Sequence, residues 1–146
     1  YRDPFEDEGQ FRNHIETTSG GLLLTAARLL APDTPETPLM RAGYAQGVAN
    51  WLLAVPRLEA AGRIPLVDGT QEVVRRLAKS ALEDLDAARK PALPRPARPA
   101  CLALWQTRGL LKRAARDPAR VAQDQLALPP IRARLSLMRT ALTGRW

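Results

Sequence analysis

The chain has 146 residues, 45% of them hydrophobic and 25% charged, with a formal net charge of +7, three Trp, one His and one Cys. That length suits one domain with enough apolar side chains for a core, which excludes wholesale disorder. A lone Cys excludes a disulfide framework and a Cys-based zinc site, and with a single His a side-chain metal site would need carboxylates.

No run approaches the roughly 18 apolar residues of a membrane span, and the start does not read as a charged-then-apolar leader. The opening Tyr1 in place of Met points to a processed product or a fragment. A soluble, cytoplasmic domain is expected, with peripheral association with the inner membrane as a further expectation.

In chain order, Asp7-Glu8-Gly9-Gln10 puts acids where a helix N-terminus favours them, and the apolar run Leu22 to Leu30 follows. Pro32, Pro35 and Pro38 stop that helix and start another. Ala42–Val55 is apolar almost all round and reads as a buried helix. Asp68 reads as the N-cap of a helix over Thr70–Arg89, whose Val73, Val74, Leu77, Ala81, Leu82 and Leu85 form one apolar stripe. Four prolines between Lys90 and Pro99 read as an extended connector. Helices from about Pro99 to Arg116 and over Ile131–Leu142 complete the chain. Strand signals are almost absent, so the expectation is an all-α domain of about five helices spanning residues 1–146.

Charge is unevenly spread. Residues 1–89 carry 10 Lys and Arg against 13 Asp and Glu, whereas residues 90–146 carry 12 against 2. Arg outnumbers Lys 19 to 3, and Arg forks onto phosphate and carboxylate where Lys acts as a point charge. Arg108, Lys112 and Arg116 fall in an i, i+4 row, with Arg113, Arg120, Arg132, Arg134 and Arg139 around it. Such a surface suits anionic lipid headgroups. Nucleic acid is disfavoured as a partner, because no recognition motif or interleaved aromatic accompanies the row.

The segment Gly43-Tyr44-Ala45-Gln46-Gly47-Val48-Ala49-Asn50-Trp51-Leu52-Leu53-Ala54-Val55-Pro56-Arg57-Leu58, followed by Gly62-Arg63-Ile64-Pro65-Leu66, resembles the second aspartate-rich region of the squalene/phytoene synthase family. There a helix of the pattern Gln-Leu-x-Asn-Ile-Leu-Arg-Asp-x-x-Glu-Asp leads into a Gly-Arg-x-x-Leu-Pro turn. Asn50, Leu52, Gly62, Arg63 and Leu66 match at the same spacing. His14 to Gly20 is similar to the family's Tyr-Cys-x-x-x-Ala-Gly segment, with His and Ser substituted. The resemblance covers most of this chain but only the C-terminal half of a family domain, and implies part of an isoprenoid-synthase-type helical bundle.

That family joins prenyl diphosphates head to head. Its leaving group is neutralised by Mg²⁺ held on carboxylates of two facing helices, aided by Arg. Carboxylates at i and i+4 are needed so that both point into one cavity. Here the family's Asp, Glu and Asp positions hold Ala54, Arg57 and Leu58, so local charge moves from about −3 to +1, which repels Mg²⁺. Pro56 is expected to bend or end the helix. The resemblance therefore implies a non-catalytic binding or assembly module, the family including an assembly factor for respiratory complex I. It implies no catalytic residue, no metal and no cofactor. The degenerate positions Asn50, Ala54, Arg57 and Leu58 should line a hollow, and Arg63 is the candidate anion or diphosphate ligand. The alternatives are a prenyl transferase whose N-terminal half is missing, which would take Mg²⁺, and a basic helical lipid- or nucleic-acid-binding protein.

The remaining candidates read as structural. Asp3-Pro4-Phe5-Glu6-Asp7 has Asp-x-x-x-Asp spacing but lies in the turn that opens the first helix, and Glu83, Asp84 and Asp86 read as a solvated face. His14 is the only imidazole, and no Ser or Cys stands near it in a recognisable motif. Cys101 reads as a packed small residue, and Trp51 and Trp105 as anchors of the core or an interface. Gly20-Gly21 reads as a close helix contact. The nearly all-round apolar Ala42–Val55 needs a cover, so a homo-oligomer, a partner chain or a rearranged smaller bundle is expected, with anionic lipid or prenyl diphosphate as the ligand.

Overall fold

A computed structural model of the chain describes Phe5, residues 7–144 and Trp146. The fold is all-α, with no strand among the described residues. The elements are α1 (Glu8–Ile15), a π-helical turn (Glu16–Gly20), α2 (Gly21–Leu30), α3 (Glu36–Ala60), α4 (Gln71–Ala88), a 3-10 helix (Arg95–Leu104), α5 (Thr107–Arg116), the short α6 (Ala119–Ala122) and α7 (Pro130–Thr143).

The axis of the molecule is α3. Between Ala42 and Val55 it is apolar almost all round, and its neighbours cover most of it: α4, the π turn, α2 and α5 all pack on it, leaving an outward strip that bears Asn50 and Arg57. Leu39, Ala42, Ala45, Val48 and Leu52 are completely buried. The cover that Ala42–Val55 requires is thus supplied by the chain's own helices. The two glycines of α3 set how closely the π turn approaches. A Cβ on Gly43 would lie 2.8 Å from the Ser19 carbonyl oxygen, and one on Gly47 would clash with Ile15 and Ser19. Gly20 meets Met40 on the same contact, the close approach that Gly20-Gly21 suggested.

The start of α1 is capped as the acids implied, with the Asp7 carboxylate accepting from the Gln10 N–H at 2.7 Å. Asp3, Pro4 and Glu6 of the Asp-x-x-x-Asp segment lie outside the described residues.

Five expectations need correction or narrowing. The connector is extended only as far as Pro94. From Arg95 the chain winds into consecutive 3-10 turns, because proline's fixed φ is compatible with them and burying Ala97, Cys101 and Leu104 against α2 offsets the missing N–H groups. This 3-10 helix is separate from α5, so no single helix runs from Pro99 to Arg116. The cap of α4 is Thr70, whose hydroxyl accepts from the Val73 N–H, while Asp68 closes a tight turn by accepting from the Thr70 N–H at 2.8 Å. Of the two outcomes expected of Pro56, a bend or an end of the helix, the second does not occur, since α3 continues to Ala60. Asp84 does not belong to a solvated face: its side chain is only 16% exposed, and Arg12 reaches it at 3.0 Å and Arg41 at 3.9 Å. One carboxylate therefore ties α1, α3 and α4 together.

Packing at the C-terminal end is looser. α7 packs mainly on the 3-10 helix, lines a cleft with α5, and presents several large apolar side chains to solvent.

Candidate functional site

Asn50, Ala54, Arg57 and Leu58 fall on one face of α3, as i, i+4, i+7 and i+8 must. That face points outward. Asn50 and Arg57 are exposed, Ala54 and Leu58 are half-buried, and none of the four lines a cavity described here. The expectation that they line a hollow is therefore not met. Beyond the helix, Gly62 takes φ +72°, and the Gly62 and Arg63 N–H groups donate back to the carbonyls of Glu59 and Leu58 at 2.9 and 3.0 Å. Trp51 Nε1 donates to the Pro65 carbonyl at 2.8 Å and pins the following loop. Arg63 is left exposed on this turn, in no ion pair among the described residues. Nothing on the face fits Mg²⁺: the side chains are an amide, a methyl group, a guanidinium and an isobutyl group. No three His, Cys, Asp or Glu side chains converge elsewhere among the described residues.

A cavity of about 340 Å³ opens between α1, α3 and α4. Its walls are mostly apolar, from Phe11, Tyr44, Leu66, Val73 and Leu77, with Arg76 at the rim. The cations here are already matched. Arg76 holds Glu8 at 2.6 Å, and Arg12 lies 4.1 Å over the Tyr44 ring while bonded to Glu16 and Asp84. Burial alone would lower the pKa of Arg12, but its bonds to Asp84 outweigh that and raise it. Burial also raises the Tyr44 pKa, with Arg12 offsetting part of the effect. This cavity suits a small apolar group and offers no net charge to an anion.

The cleft between α5 and α7 is different. About 200 Å³ in volume, it is walled by Arg89, Arg108, Lys112 and Arg139, with Trp105 and Trp146 beside them. Arg108 forms an ion pair with Asp86, yet its Nε is buried with no hydrogen-bond partner. Arg89 faces the Trp146 ring at 5.9 Å. Among the lining residues four are basic and none is acidic, and the guanidinium and indole planes suit a phosphorylated group with an apolar extension. On the same half of the molecule Arg113 has its pKa lowered, by burial first and then by the neighbouring Arg120 and Arg132.

The sequence reading identified Arg108, Lys112 and Arg139 as basic surface but did not bring them together, since α5 and α7 are separated by the turn of α6. Trp105 read as an anchor of the core or an interface, whereas Arg89 and Trp146 gave no signal beyond their residue types.

The remaining candidates fall into structural places. His14 packs at 5.4 Å from Phe5 and 5.8 Å from Trp51, in an aromatic cluster with Phe11. Cys101 is buried, and burial pushes its thiol up to about 11. The Trp105 carbonyl accepts from the Ser136 hydroxyl at 2.6 Å and so fixes α7 in place. Compared with family models, with curated proteins and with solved structures, the chain matches nothing significantly.

Proposed function

We propose that the chain is a non-catalytic binding module of the squalene/phytoene synthase type, which holds a phosphorylated amphiphile in the α5–α7 cleft without condensing it. The observation that carries this reading is the cleft's composition: four cations and two indoles around a space sized for a headgroup. Arginine forks bind phosphate oxygens in pairs, and indole faces accept the first apolar carbons of a chain. A space of about 200 Å³ is below the usual range for a whole ligand, so a longer tail would leave it.

What speaks for the kinship is the helix-then-turn pattern of α3 and Gly62-Arg63, which is adopted locally; the outward Asn50–Leu58 face speaks against it, because the resemblance implies that this face lines a hollow. The chemistry of the same helix argues against turnover. An outward face bearing Arg57 between Ala54 and Leu58 neither gathers Mg²⁺ nor encloses a carbocation.

Calorimetric titration of farnesyl diphosphate without Mg²⁺ tests the reading. Saturable binding is expected, weakened on the order of tenfold or more in Lys112→Ala/Arg139→Ala, since each exposed cation contributes a charge-assisted contact. Absence of binding, or equal affinity in the double variant, would remove the cleft as the site.

A further inference from the structure

α7 is packed the wrong way round for a helix that serves only its own core. Its inward side is small and polar: Ala133, Ser136, which bonds the Trp105 carbonyl, and Thr140, which is buried. Its outward side carries Ile131, Leu135, Met138 and Leu142, at i, i+4, i+7 and i+11, each between 58% and 82% exposed. At 100° per residue these four fall within an arc of about 60°, a narrow continuous apolar ridge. Arg134 lies along one edge of the ridge, and Arg132 and Arg139 along the other. Among the described residues α7 carries no acid.

An apolar ridge bordered by Arg on both sides is the pattern of a helix lying in a membrane interface, with guanidinium groups at the level of the phosphates. A second copy of the chain is the less suitable cover. Two such ridges in contact would bring six arginines together with no carboxylate between them, in a half of the molecule that is already strongly basic. Charge complementarity selects an anionic surface. The exposed leucines of α2, by contrast, lie beside Arg28, which is already paired with Glu36. No helix of the described residues is long and apolar enough to cross a bilayer, so α7 would rest on the surface and not span it.

We propose that α7 docks the protein on anionic phospholipid membranes, burying the Ile131–Leu142 ridge among the acyl chains. Arg139 belongs both to the ridge's edge and to the α5–α7 cleft, so docking would bring that cleft to the headgroup layer. The docking itself rests on the ridge and goes beyond the ligand reading above.

Co-sedimentation with vesicles of phosphatidylcholine, with and without 30% phosphatidylglycerol (roughly the anionic content at which polybasic attraction is strong), tests it. Binding to the anionic vesicles only, weakening as salt is raised, is expected. Leu135→Glu/Met138→Glu should reduce it on the order of a hundredfold, since two large side chains lose their burial. Both residues are exposed, so an unchanged melting temperature and helical circular dichroism keep the comparison sound, and Leu135→Ser/Met138→Ser serves if the first variant aggregates. This variant should still bind farnesyl diphosphate, whereas Lys112→Ala/Arg139→Ala should lose affinity for both, so failure of docking and failure of the cleft are told apart. Wild-type protein that stays in the supernatant, or binds equally with the ridge variant, overturns the proposal. So does a ridge variant that instead converts a dimer into a monomer in light scattering.

Discussion

Gly47 lies where α3 comes closest to the π turn, and the space for even one methyl group is filled by Ile15 and Ser19. Gly47→Ala is therefore expected to destabilise the fold by about 1–3 kcal/mol, the usual effect of overpacking a close contact, even though alanine is the better helix former. Gly21→Ala, with open space around it, should have no such effect. Thermal melts of the two variants compare them, and equal melting temperatures would refute the contact. Cys101 makes a second prediction at this scale. Its thiol is pushed from 9.0 up to about 11 by burial, so between those values the folded state keeps a proton that the unfolded chain releases. Stability should fall as pH rises through that window, and not below it. Tyr44, also raised by burial, adds to the alkaline end with the same sign. Urea midpoints measured from pH 8 to 11 should show a shallower decline in Cys101→Ala, and identical slopes would contradict the assignment. The pattern of residues shows why Cys101 was legible and Gly47 was not. A Cys in an apolar run announces burial by composition, whereas the meaning of Gly47 depends on which segment crosses it.

At the scale of elements, α1, α3 and α4 are joined by polar contacts as well as by packing. Asp84 is the common acceptor, partly buried, with Arg12 and Arg41 on separate helices. Asp84→Asn should lower stability by about 1–2 kcal/mol, between the values for exposed and buried pairs because Arg12 remains partly in water. A change no larger than that of Glu83→Gln would show that the junction contributes nothing. Much of the helical layout could be read from the sequence because prolines and caps mark its ends. Pro32, Pro35 and Asp7 do so here, and the Ala42–Val55 part of α3 was recognisable because it is apolar almost all round. The 3-10 helix escaped for a physical reason. Closely spaced prolines exclude an α-helix but not a tighter one, and only contact with α2 decides between 3-10 and extended backbone. Asp84 escaped too, since the polar stripe of α4 is only as solvated as the neighbouring elements leave it.

For the whole molecule, the division of charge along the sequence becomes a division in space. The N-terminal half carries ion pairs around α1 and α4, and the C-terminal half carries an excess of cations around α5 and α7, where Asp86 pairs with Arg108 and Asp117 with Arg120. The excess of arginine after residue 90 was evident from sequence, but its convergence with Trp105 and Trp146 on one cleft required the fold. The orientation of α7 was equally hidden, because an amphipathic pattern does not say which side meets the core. The account as a whole stands on retention of a phosphorylated amphiphile without reaction. Its most direct test is to mix the chain with farnesyl diphosphate and Mg²⁺, isolate the protein by gel filtration and assay both fractions for phosphorus. The account predicts that intact farnesyl diphosphate travels with the protein and that no inorganic diphosphate is released. Released diphosphate together with a coupled prenyl product would contradict it and identify a working transferase.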